Sequence, residues 1–121
     1  MKIEDHIIKC ERIERSAGKL NRDADYEMFV EASMLAGTHL LNAVLHHSGI
    51  TQERNDLLHS DKPLLDKPVK PEIAEMMRRL KQIEDLRSGY LRGKTAWQAT
   101  HGDLCVDNME SIRTTAHELL R

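Results

Sequence analysis

The stretch Ala24–Gly49, ADYEMFVEASMLAGTHLLNAVLHHSG, decides the fold. Val30, Met34, Gly37, Leu41, Val44 and Leu45 recur at spacings of three and four, which places them on one face of an α-helix. Ala32, Ala36 and Ala43 allow neighbouring helices to approach closely. Asp23 or Asp25 can cap the start, and Gly49 suits the left-handed stop. The pattern predicts a helix over about 24–48, the most apolar of the chain.

Working outward, residues 2–20 repeat the spacing with Ile3, Ile7, Cys10, Ile13, Ala17 and Leu20. After Gly49, Thr51 can cap a short helix across 51–60. Pro63, Pro68 and Pro71 then exclude a continuous helix and favour an extended connection. Pro71 suits the first turn of a third helix running to about Arg92, with Ile73, Met76, Met77, Leu80, Ile83, Leu86 and Tyr90 inward. A last helix is predicted over about 103–120, restarting near Asp103, with Cys105, Met109, Ile112, Ala116 and Leu119 inward. Aromatic residues make up only 3% and β-branched runs are absent, so no strand is expected. The expectation is an all-α, up-and-down four-helix bundle in one domain, 1–121, with room for a short fifth helix at 51–60.

Composition narrows the class. Hydrophobic residues are 40% and charged residues 31%, as in ordinary helical proteins. No uninterrupted apolar run approaches the roughly 20 residues of a membrane helix, and the start, MKIEDHIIKCERIE, has no secretory pattern. A cytoplasmic protein without a membrane partner is expected. Cys10 and Cys105 form no CxxC pair and read as reduced core thiols. The net charge of −2 is unevenly spread. Residues 21–69 hold four Lys/Arg against eight Asp/Glu, and residues 70–94 hold seven against four. An acidic middle and a basic third helix suit self-association or a local phosphate site.

Two constellations carry chemistry. The first is the junction of helices three and four, LKQIEDLRSGYLRGKTAWQATHGDL over 80–104. There Arg87, Arg92 and Lys94 can bind phosphate, and His101, expected in the loop, can move a proton. RNA cleavage needs both actions. The same cations also complement the carbonyl end of a helix, which is their plainer role. Gly93-Lys94-Thr95 is no phosphate loop, because Ser88 stands where the earlier glycine belongs. The second constellation is histidine-rich. His39 and His46 lie seven apart on one helix face, and Asp56-x-x-His59 resembles half of a metal motif. His39, His46 and His59 are the candidate metal ligands, although Glu-x-x-His, the usual bundle signature, is absent.

The chain resembles the HEPN superfamily of small helical proteins. The resemblance rests on Tyr26-Glu27 leading to Ala32 and Ala36, and on His39-Leu40-Leu41-Asn42-Ala43-Val44-Leu45-His46. It extends to Leu86-Arg87-Ser88-Gly89-Tyr90 and Ala116-His117-Glu118-Leu119-Leu120. It implies a helical bundle, often a homodimer, and in many members an RNase of toxin–antitoxin or defence systems whose Arg precedes a His by four to six residues. This chain departs from that motif: Arg87 has no His at the expected place, and eight residues separate Arg92 from His101. The expected function is therefore association as a homodimer, with RNA or a nucleotide as candidate ligand at the junction and a further protein as candidate partner, without cofactor and without catalysis. The alternatives are a metal-independent endoribonuclease using Arg92 and His101, and a histidine-based metal-binding bundle.

Overall fold

A computed structural model describes residues 1–58 and 68–121. Four helices pack together: α1 (Ile3–Ala17), α2 (Tyr26–His47), α3 (Pro71–Glu84) and α4 (Ala99–Leu119). A π-helical turn, Ser88–Arg92, follows α3, and no strand occurs among the described residues. α2 packs against all three other helices, and α3 also packs on α4.

The central place of α2 explains its composition. Every residue from Leu40 to His46 is buried, so the helix is enclosed on all sides there rather than along one stripe, and its Asn42 and His46 need polar partners inside the protein. Its length and composition would suit a membrane span, but 61% of that window is buried inside the protein. The predicted stripe of Val30, Met34, Gly37, Leu41, Val44 and Leu45 is buried throughout. Ile73, Met76, Leu80 and Ile83 of α3 meet it, with Cys105, Met109, Ile112 and Ala116 of α4.

α2 ends as its sequence implies. Gly49 adopts φ 73°, a left-handed conformation that glycine tolerates without a Cβ clash. Its N–H donates to His46 O at 3.1 Å, and Ile50 N–H donates to Leu45 O at 3.0 Å. These are the paired bonds of a Schellman stop, and they turn the chain sharply at the end of α2.

Three boundaries differ from the sequence reading. Thr51–Leu58 is irregular rather than helical, with one turn closed by Asn55 N–H to Gln52 O at 2.8 Å. Buried Asn42 overrides local propensity there: its Oδ1 accepts from Leu57 N–H at 2.7 Å and its Nδ2 donates to Leu57 O at 2.9 Å. The remainder of the 51–60 expectation, with His59 and Pro63, lies outside the described residues. The third helix does not run to Arg92, because it breaks after Glu84 and rewinds as the π-turn. Ser88 and Gly89 are weak helix formers, and Gly89 lets Thr95 approach closely, with Thr95 N–H donating to Gly89 O at 3.2 Å. α4 begins at Ala99, four residues before the predicted start at about 103. Asp103 lies inside the helix and binds Arg22 at 2.6 Å.

Candidate metal centre

Histidine chemistry concentrates where α1, the second half of α2 and the returning chain meet. His6 comes from α1, His39 and His46 from α2, and Asp56 from the segment that Asn42 holds through Leu57. The His6 Nε2 lies 3.0 Å from Asp56 Oδ1, and the His46 Nε2 lies 2.8 Å from the same oxygen. The far nitrogens are also engaged. His6 Nδ1 is 2.9 Å from His39 Nδ1, and His46 Nδ1 is 2.7 Å from the Thr51 hydroxyl. Each side chain of His6 and His46 is 1% exposed, whereas Asp56 is 28% exposed and forms the open side. The Met1 amino group lies 3.3 Å from the Asp56 carboxylate.

Proton accounting defines the metal-free state. Burial lowers the pKa of His6 below its ordinary 6.5, against the pull of the Asp56 carboxylate. Burial, followed by the charge of His6, lowers that of His39. Asp56 is held below the usual carboxylate range: burial opposes this, but the hydrogen bonds from His46 and His6 outweigh it. An ionised carboxylate only accepts, so both Nε2 atoms carry protons toward it. His6 Nδ1 then accepts from His39 Nδ1–H, and His46 Nδ1 accepts from the Thr51 hydroxyl. Every one of these contacts is satisfied with neutral rings.

The same skeleton fits a cation. One ligand atom from each of His6, His46 and Asp56 lies within 4.8 Å of the others. Around tetrahedral zinc, bonds of about 2.0–2.2 Å place neighbouring ligand atoms roughly 3.3–3.6 Å apart. The two nitrogen–oxygen pairs need to open by roughly 0.3–0.8 Å, and the two nitrogens to close by at most about 1.5 Å. On binding, the ring protons shift to the Nδ1 atoms, where His39 and the Thr51 oxygen can accept them. Ligating histidines ordinarily have such outer partners.

The predicted metal set is thus brought together only in part. His46 faces the carboxylate, His39 stands behind His6 rather than on Asp56, and His59 lies outside the described residues. His6 escaped the sequence reading, which drew the α1 stripe through Ile3 and Ile7. His6 stands four residues before Cys10, on the face that is in fact deepest, and both are buried.

The junction of α3 and α4 is arranged otherwise. Arg87 is paired in two-pronged fashion with Glu31, at 2.9 and 3.1 Å. His101 stands in the first turn of α4, not in the loop, and its Nδ1 bonds the buried Tyr90 hydroxyl. Tyr90 also meets Trp97 edge-on, and Trp97 stacks on Tyr26 at 5.0 Å. The cluster fastens the start of α2 to the start of α4. Arg92 and Lys94 are exposed. Burial raises the thiol pKa of Cys10 to about 12 and that of Cys105 to about 11, which keeps both protonated.

No family model, curated protein or solved structure matches this chain.

Proposed function

We propose that this bundle binds a divalent transition-metal ion of the zinc type through His6, His46 and Asp56. One observation carries the reading: two deeply buried imidazole nitrogens converge on a single carboxylate oxygen, with the opposite nitrogen of each ring already held. A core that needed only apolar filling would not take on two rings and a carboxylate, which must be fully hydrogen-bonded to offset burial. Imidazole and carboxylate ligands suit zinc, and three protein ligands with one open side is the pattern of reactive rather than closed structural sites. The test is thermal unfolding of chelator-treated protein with and without added zinc. Binding to the folded state alone raises Tm, by about 2.7 kcal/mol of stability at a hundredfold excess over Kd. His6→Ala and His46→Ala abolish the shift. A Tm indifferent to zinc in the wild type ends the proposal.

A second reading, self-association as a homodimer, is supported by a different observation. Ile8, Met28 and Leu35 are each about half exposed on α1 and α2. Met28 and Leu35 flank an apolar groove lined by Ile13, Leu20 and Ala32. Light scattering at micromolar concentration should find a dimer that Leu35→Glu splits, and a wild-type monomer would contradict it.

A further inference from the structure

The pocket beside the histidines has a second charged wall. A cavity of about 240 Å³ is lined by His6, His39 and Asp56 together with Thr38, Arg87 and Glu31. Its volume equals that of about eight waters at roughly 30 Å³ each. Arg87 spends its Nε and one terminal nitrogen on Glu31. A guanidinium carries five N–H donors in a planar fork, so donors remain for a ligand.

The charges decide which ligand. The charged side chains of the metal-free lining are two carboxylates and one guanidinium, and the Met1 ammonium stands against Asp56, so the pocket has no positive excess to hold an anion. A divalent ion on Asp56 supplies that excess and makes the pocket net positive. Building on the metal reading above, we infer that the loaded site takes a small oxyanion, a carboxylate or a phosphate, whose oxygens meet the metal's open position and whose far side meets Arg87. Glu31 stays on its two donors of the Arg87 fork as a counter-ion that weakens the pull on the ligand, which takes the donors left over. The bidentate match of arginine to planar or tetrahedral oxyanions gives the selectivity.

Cobalt(II)-loaded protein tests this, because cobalt absorbance reports the ligands around the metal. Cobalt uptake is measured first, so a failure of the metal reading appears there as no uptake. Acetate and inorganic phosphate are then titrated separately, and the stronger response identifies the oxyanion source. The expected result is a spectral change that saturates for at least one of them. Arg87→Gln takes up cobalt like the wild type but binds the anion at least tenfold more weakly. Glu31→Gln frees the guanidinium and binds the anion more tightly. The pair separates recognition from mere support of the fold, which would weaken binding in both variants. Normal cobalt uptake with no response to either anion overturns the inference, as does anion binding unchanged in Arg87→Gln or weakened in Glu31→Gln.

Discussion

Replacing Asn42 by alanine should dismantle the centre without touching any ligand. The Asn42 side chain is 2% exposed and makes three hydrogen bonds, two with the backbone of Leu57 and one from Nδ2 to Thr38 O at 3.1 Å. Each typical bond contributes about 1 kcal/mol net, and a buried backbone group left unpaired costs about 1–3 kcal/mol. Leu57 is only half-buried, so water recovers part of that cost. The expected loss is about 2–3 kcal/mol, a Tm lower by on the order of 10 °C for a domain of this size. Asn42→Asp keeps the acceptor for Leu57 N–H but sets a buried carboxylate oxygen against the Thr38 and Leu57 carbonyls, and should lose at least as much as alanine. Because Asp56 precedes Leu57 directly, the same variant should bind zinc at least tenfold more weakly, in the range seen when outer partners are lost. Urea unfolding in EDTA reads the first effect and a zinc titration of folded protein reads the second. A stability loss under about 0.5 kcal/mol, the range of ordinary surface changes, or undiminished zinc affinity would refute the idea that Asn42 holds the ligand segment in place.

Acid should destabilise the metal-free protein in two stages. His6 and His39 have folded pKa values below 6.5, so the unfolded chain binds their protons first, and stability falls as pH drops below 6.5. Asp56, depressed below 3.8, adds a further loss below that value. Urea midpoints in EDTA should be lower at pH 5.5 than at pH 7.5, with the drop reduced in His39→Asn; an unchanged midpoint would contradict the assignment. The thiols of Cys10 and Cys105, held protonated in the core, should react with a thiol reagent only on unfolding. Fast labelling of native protein would show that the core opens there.

The helices were legible because apolar spacing states them directly. The six stripe positions of α2 are all buried, and Gly49 stops the helix as its backbone freedom allows. Boundaries set by tertiary contacts were less legible. The last helix starts four residues before Asp103, which serves Arg22 from inside it, and the π-turn forms where Gly89 meets Thr95. The centre was half legible. His39 and His46 share a face by spacing alone, while His6 and Asp56 arrive from segments 33 and 17 residues away from His39, through helix packing and the Asn42–Leu57 clamp. Periodicity carries no record of such meetings. The Arg/His junction shows the converse: its composition suggested phosphate chemistry, yet Glu31 and Tyr90 hold two of its members.

The most direct measurement is a crystal structure of protein grown with zinc, with diffraction collected on both sides of the zinc absorption edge. The account predicts one anomalous peak per chain, about 2.0–2.2 Å from His6 Nε2, His46 Nε2 and an Asp56 oxygen. Protein saturated with zinc that shows no peak there, or one held only by surface residues elsewhere, would contradict it.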